Sequence, residues 1–258
     1  MTAPSPDYSV PALEKGLEIL EALSASPEPL SLSSLAVVLK RKNNEIFRML
    51  NFLERRCYVL RDDLGGYRLS LKLYQISHAQ CRVRQLVDAA LPALRELSVQ
   101  TSESCHLSVL EGTEIVVLAG VESPRPVHLA VGAGGRFSAI HTVSGRMLLA
   151  GLPAEARQAT LQSTPEFQKM KRPERMALEK SIAQAARERF SSASDETVAG
   201  VVDAAVEIGN AEIGIHAALA ICSLYTKGNS PDPKKFLSPL LKCARHIESK
   251  AGLRLLHR

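Results

Sequence analysis

The sequence contains no tryptophan, and aromatic residues supply only 4% of its 258 positions. Any core must therefore come from the aliphatic part of the 45% hydrophobic content, chiefly Leu, Val, Ile and Ala. Long apolar runs are missing too, and none approaches the roughly 18 to 20 residues that a membrane-spanning helix needs. The opening MTAPSPDYSVPALEKG lacks the basic-then-apolar order of a secretory signal, so the expectation is a cytoplasmic chain with no membrane partner. Cysteine is sparse and odd in number: none of Cys57, Cys81, Cys105, Cys222 and Cys243 falls in a C-x-x-C spacing. That argues against a disulfide framework or zinc ribbon and for reduced thiols. There is no G-x-S-x-G elbow, H-E-x-x-H pair or phosphate loop, and Gly132-Ala133-Gly134-Gly135 falls short of the dinucleotide fingerprint. No catalytic motif is indicated and no cofactor is expected.

What is present is an uneven distribution of charge. The formal net of +5 is mild, but residues 1–39 carry −4, residues 40–84 carry +7 and the remainder only +2. A basic stretch confined to 45 residues of an otherwise balanced chain is what phosphate-backbone binding requires, because each neutralised phosphate releases condensed counterions. A solvated helix face is the other reading of the same charge run.

The basic stretch coincides with a recognisable order of elements. Leu13, Leu17, Leu20 and Leu23 form a helical stripe that ends at Pro27-Glu28-Pro29. Ser31 caps a short second helix carrying Leu32, Leu35, Ala36 and Leu39. In 43–55, Ile46, Met49, Leu50 and Leu53 fall within one arc of a helical wheel. Tyr58-Val59-Leu60 and Tyr67-Arg68-Leu69, joined through Asp62-Asp63-Leu64-Gly65-Gly66, read as a hairpin. Three helices followed by a hairpin make a winged helix-turn-helix, expected over 1–70. A linker helix is expected over 71–90, with Pro92 opening the next helix, and a mixed α and β domain over 91–258. In that domain strands are expected at Ser104–Leu110, Glu114–Ala119, Val127–Val131, 198–208 and 213–222, the last two joined by a turn at Gly209-Asn210. Helices are expected at Pro173–Phe190, with Met176, Leu178, Ile182 and Ala186 inward, and around Phe236 to Ile247.

On the third helix, the side away from the apolar arc presents Asn44, Arg48, Asn51 and Arg55, with Phe47 on its flank. Arg forks onto the acceptors of guanine, Asn onto adenine, and a phenyl ring can touch a thymine methyl or pack within the domain. Lys40, Arg41, Lys42 and Asn43 occupy the turn and helix start, where cations clamp phosphates and fix register without reading sequence. Arg68, with Arg61, does the same from the wing. The partner these residues imply is a double-stranded DNA operator. Winged helices also serve as protein-docking modules, and the local +7 favours DNA.

The segments VPALEKGLEIL, LSLSSLA, EIFRMLNFLERRCYVLRDDLGGYRLS and HTVSGRMLLAGL, in this order, resemble the IclR family of bacterial transcriptional regulators, from about Val10 to Leu256. The resemblance implies an α+β chain: an N-terminal winged helix-turn-helix, a linker helix and a C-terminal GAF/PAS-like effector domain with an antiparallel sheet. It also implies a homodimer or homotetramer on paired half-sites and a small-molecule effector that changes operator affinity. By position, the effector residues would be Val143 and Ser144 before the G-[KR]-x-L-L-A helix, Asp203, Ala220 and Cys222 on the two late strands, and His141. Two departures stand out. Lys40-Arg41-Lys42 replaces the family's usual Gly-Leu-Pro, and Ile140 occupies the usual His position, one before His141. Asp203 in place of the usual Cys, and Ala220 and Cys222 in place of Ser, predict a shift away from a small dicarboxylate-like effector towards one that is larger, less anionic or cationic. Backbone N–H groups at the start of the Gly145 helix would in contrast suit a carboxylate.

Two other function classes are compatible with isolated residues. A hydrolase-like enzyme would use His141 and Ser144, or a strand histidine such as His106 or His216. A metal sensor would use Cys105, His106 and Cys222, although adjacent strand residues face opposite sides and so cannot easily share an ion.

Overall fold

The computed structural model describes residues 10–78, 81–196, 198–210, 214–225 and 231–253. The chain divides into two compact units, 1–80 and 81–258. The first contains α1 (Pro11–Ser24), α2 (Leu32–Val38), α3 (Asn43–Arg55), the hairpin β1 (Val59–Arg61) and β2 (Tyr67–Leu69), and α4 (Lys72–His78). Pro11 stands in the first turn of α1, where its missing N–H is not required. The Ser31 hydroxyl accepts the Ser34 N–H and starts α2. Buried Ile46, Leu50 and Leu53 of α3 pack with Ile19, Leu23, Leu35, Val59 and Tyr67 in one small core. The stripe of α1 is rotated from expectation: Ile19 and Leu23 are buried, whereas Leu13 and Leu17 are 60% and 49% exposed. Those two line an open apolar groove with Phe52, Leu73 and Ile76.

The second unit starts with α5 (Cys81–Thr101) and continues through β3 (Ser104–Glu111), β4 (Glu114–Val121), β5 (Arg136–Ser138), α6 (Val143–Gly151), α7 (Ala154–Ser163) and α8 (Pro165–Lys169). It ends with α9 (Arg172–Glu188), β6 (Ser191–Ser194), β7 (Val201–Asn210), β8 (Ile215–Leu224) and α10 (Leu237–Lys250). The strands form one antiparallel sheet ordered β5-β4-β3-β8-β7-β6. Helices α5 and α10 cover one face through Leu94, Leu97, Leu240 and Ile247. Helices α6 and α9 cover the other through Met147, Leu148, Leu178 and Ile182. With both faces covered, β7 and β8 read as nearly continuous Val, Ile and Ala runs.

Several sequence expectations change. Where one linker helix was expected over 71–90, the described backbone holds α4 and the start of α5, and residues 79 and 80 lie outside the described residues. Pro92 is inside α5 instead of opening a helix. It is exposed, as is Asp88 one turn earlier, so water can reach the carbonyl that has lost its N–H partner. Val127–Val131 forms no strand. Arg136–Ser138 takes that edge of β4 instead, pairing with Glu114–Val116, while the Val131 carbonyl abuts Gly120 so closely that any Cβ there would overlap it. The turn expected at Gly209-Asn210 lies further on, because those residues pair with His216 and Ile215. Residues 211–213, including the expected first residue of the last strand, lie outside the described residues. On α9 the inward residues are Leu178, Ile182 and Ala185, while Met176 and Ala186 face out.

Candidate functional site

Two constellations emerge, one in each unit. In the first, α3 buries its apolar arc and turns Asn44, Phe47, Arg48 and Arg55 to solvent, with Asn51 half-exposed. The spacing of 4, 3 and 4 residues from Asn44 to Arg55 keeps the four polar side chains on one side of the helix. Asn43 is the first residue of α3 and is exposed. The turn before it is tight: Lys40 takes a left-handed φ of 51°, and the Arg41 N–H reaches back to the Ala36 carbonyl at 3.0 Å. Lys40 and Lys42 are exposed. Arg41 is engaged within the unit, forking onto the Glu18 carboxylate of α1 at 2.7 and 2.8 Å. A second pair, Lys15–Glu45 at 2.9 Å, ties α1 to α3. These pairs hold Glu18 and Glu45 below the usual carboxylate range, in each case mainly through the hydrogen bond to the cation.

The wing is ordered by its own residues. Asp62 Oδ1 accepts the N–H groups of Leu64 at 3.0 Å and Gly66 at 2.7 Å, and Gly65 takes the positive φ (82°) that this turn requires. Buried Tyr67 pairs with Leu30 and lies under the Arg61 guanidinium, 5.5 Å from the ring centroid. Arg68 is exposed on β2.

In the second unit a cavity of about 70 Å³ lies beneath the N-terminus of α6. Its polar wall is Ser144, His106, Asp203 and Cys222, with Thr142 at the helix cap, and its apolar wall is Ile115, Val131, Phe137 and Val143. Sheet register makes the wall: Asp203 pairs with Cys222 across β7–β8, and His106 of β3 pairs with Ala220 of β8. His106 Nε2 is 3.2 Å from Ser144 Oγ, and its Nδ1 is 3.8 Å from Cys222 Sγ. Burial pulls the His106 pKa from 6.5 to about 4, so the ring is neutral near pH 7. Burial, and after it the charge of Asp203, pushes the Cys222 thiol well above its usual range.

The start of α6 is shaped by Gly145. A Cβ there would overlap the backbone of Ala139, so only glycine lets the 139–141 turn pack against the helix. The Thr142 hydroxyl accepts the Gly145 N–H at 3.1 Å, and the Arg146 N–H goes to the Thr142 carbonyl at 3.0 Å. The Arg146 guanidinium is buried and forks onto Glu196 at 2.5 and 2.7 Å.

Of the six effector positions expected from sequence, Val143, Ser144, Asp203 and Cys222 line this cavity. Ala220 shares the sheet face of Cys222 but is fully buried in the α6 side of the core. His141 borders a different cavity of about 410 Å³, together with Arg146, Glu174, Glu188 and Glu196. The sequence reading missed His106 as a pocket residue, along with Ile115, Val131 and Phe137. A histidine inside the apolar run Cys105-His106-Leu107 was the available signal, because a lone polar residue on a strand buried on both sides needs a partner.

The geometry suits binding better than the alternative chemistries. Ser144 meets His106 and not His141, and His106 Nδ1 faces a thiol 3.8 Å away where a triad would place an orienting carboxylate. Cys105 lies on the opposite sheet face, its thiol donating to the Leu94 carbonyl at 3.2 Å. Among the described residues, no group of three His, Cys, Asp or Glu is arranged to hold a metal. No described helix is long and apolar enough to cross a membrane.

Comparison with known proteins gives matches over both units. Residues 12–63 match the IclR helix-turn-helix domain, and residues 78–249 match the bacterial transcriptional regulator IclR C-terminal domain. The chain is 31% identical over 194 residues to the HTH-type transcriptional regulator TtgV of Pseudomonas putida, covering 74% of each. It is 25% identical over 257 residues to the HTH-type transcriptional repressor AllR of Klebsiella pneumoniae, covering 97% of this chain and 93% of the relative. In fold it is similar to an IclR homolog from Microbacterium hydrocarbonoxydans solved with 4-hydroxybenzoate. The TM-score is 0.76 at 21% identity, over 94% of this chain and 100% of that one.

Proposed function

Since this chain belongs to the IclR family of bacterial transcriptional regulators, with a helix-turn-helix DNA-binding domain and a C-terminal effector-binding domain, we propose the residues that perform each task. Helix α3 enters the major groove, where Arg48, Asn44 and Asn51 read base edges and Arg55 sits at the backbone. Lys40 and Lys42 at its start, and Arg68 on the wing, clamp phosphates. Arg41 supports them indirectly, since its guanidinium pins the turn to Glu18 of α1. The cavity formed by Ser144, His106, Asp203 and Cys222 takes the effector. Two copies related by a two-fold axis, alone or paired as a tetramer, read paired half-sites.

The observation that carries this reading is the division of α3: Ile46, Leu50 and Leu53 are buried while Asn44, Arg48 and Arg55 face solvent, within the one basic stretch of the chain. Its test starts from genomic fragments selected by the purified protein, which supply the operator. In gel shifts at several salt concentrations, Arg48→Ala should lose most discrimination between operator and random DNA. Lys42→Ala should weaken both equally and reduce the salt slope by about one. Parent-like binding by both variants would show that another surface reads the DNA.

A further inference from the structure

Helix α3 carries two phenyl rings on its surface, Phe47 and Phe52, which are 45% and 50% exposed. They lie on opposite flanks of the polar face: at about 100° per residue, Phe52 stands about 40° beyond Arg48, and Phe47 about 40° before Asn51. Phe52 opens onto the apolar groove with Leu13, Leu17, Leu73 and Ile76, so apolar surface already lies beside it. Phe47 has no such company. Among the described residues it is neither in the core of the first unit nor one of the hydrophobic side chains packed against that core, and it does not line the groove. The core is closed without it, since Ile46 and Leu50 are 2% and 0% exposed. One turn away on α3, the ring has the amide side chains of Asn43, Asn44 and Asn51 for neighbours. A phenyl ring held among amides in water gains by meeting an apolar surface. On base edges in the major groove that surface is the thymine 5-methyl group, set among hydrogen-bond donors and acceptors. The ring itself neither donates nor accepts in the ordinary sense. It therefore cannot tell the O4 of thymine from the amino group of cytosine, and responds to the methyl alone.

We propose that Phe47 reads one pyrimidine 5-methyl group in each half-site, so that 5-methylcytosine satisfies it as thymine does, whereas uracil and cytosine do not. The inference rests on the entry of α3 into the major groove given under the proposed function. There Arg48, Asn44 and Asn51 recognise base edges by hydrogen bonds, and the ring adds a contact that ignores the hydrogen-bonding pattern. Operator binding thereby acquires a dependence on cytosine methylation that the amides and the guanidinium of the same face do not confer.

The test remakes the operator found by genomic selection with each thymine replaced in turn by deoxyuridine, which removes the methyl and keeps the pairing edge. Binding of the full-length protein is followed by fluorescence anisotropy. For the parent, one thymine per half-site should respond, its loss of a methyl lowering affinity about fourfold, the equivalent of about 0.8 kcal/mol. In Phe47→Ala the thymine and deoxyuridine duplexes should bind alike at that position, while Phe47→Leu, which keeps an apolar tip, should retain part of the preference. With the responding pair changed to C·G, 5-methylation of that cytosine should restore the same fourfold to the parent and nothing to Phe47→Ala. Absence of any responding thymine in the parent would overturn the proposal, a result that needs no variant and stands even if Phe47→Ala fails to fold. A thymine-to-deoxyuridine ratio that Phe47→Ala leaves unchanged would overturn it as well. So would a loss in Phe47→Ala equal for thymine, deoxyuridine and random duplexes, which marks a ring resting on the sugar-phosphate backbone or supporting the fold. Where Arg48→Ala has lost operator discrimination, these results sink the methyl contact alone. Parent-like binding by Arg48→Ala and Lys42→Ala, together with no methyl-sensitive thymine, would sink the placement of α3 too.

Discussion

Single residues in this protein carry effects that follow from their immediate surroundings. Gly145 is the clearest, because its missing Cβ is what admits the Ala139 backbone. Gly145→Ala should therefore destabilise the second unit by about 1 to 3 kcal/mol. Gly16, within α1, has nothing within 4 Å of a built Cβ, so Gly16→Ala should stabilise the first unit by about 0.5 to 1 kcal/mol through lower unfolded-state entropy. Opposite shifts in denaturation midpoint would bear this out, and equal ones would refute it. His106 gives a pH signature. Its folded pKa, about 4, lies below the unfolded value near 6.5, so in that window the unfolded chain binds the extra proton. Stability due to this residue is present above pH 6.5 and declines as pH falls to about 4, by an amount on the order of 3 kcal/mol. His106→Gln should flatten that part of the parent's stability profile, and a variant that falls as steeply as the parent would place the titration elsewhere. Neither role was legible in the sequence. Gly145 was visible only as part of a motif, and His106 as one polar residue in a strand, because the atoms each one meets lie on other elements.

At the scale of elements, local chemistry was mostly readable. The α2 cap at Ser31, the span 43–55 and the wing hairpin follow from capping, a 3.6-residue period and turn residues, all of which act over a few neighbours. Failures occurred where partners at a distance decide. Val127–Val131 has strand composition, but β5 and the loop at Gly134-Gly135 already occupy that edge of β4. Leu13 and Leu17 have the right period for a core stripe, yet the core lies under Ile19 and Leu23. Pro92 looked like a helix start, and its place inside α5 leads to an expectation. Pro92→Ala should restore the N–H to the Asp88 carbonyl and remove a ring clash, raising stability by about 1 to 3 kcal/mol. Thermal denaturation measures it, and no gain would mean that α5 is already relaxed around the proline.

For the whole molecule, α3 with its preceding turn and the wing lie in one unit and the cavity in the other, so regulation requires that occupancy of one change the other. Linkage then sets a quantitative demand. If a cavity ligand alters operator affinity by some factor, operator DNA must alter ligand affinity by the same factor, with a coupling typically of about 1 to 3 kcal/mol. Calorimetric titration of ligand with and without operator, beside anisotropy titration of operator with and without ligand, should return one common factor different from unity, and a factor of one in both titrations would mean that the two sites are uncoupled. The sequence by itself determined the helix-turn-helix, its cationic character and the presence of a mixed second domain. Those properties are written in spacing, capping and clustered charge, which need no distant partner. Only the tertiary structure decided that Arg41 faces Glu18, that His141 stands apart from the cavity, and that His106 joins Cys222 across 116 positions of chain. Such meetings depend on strand register and helix placement, where a shift of one residue turns a side chain to the opposite face.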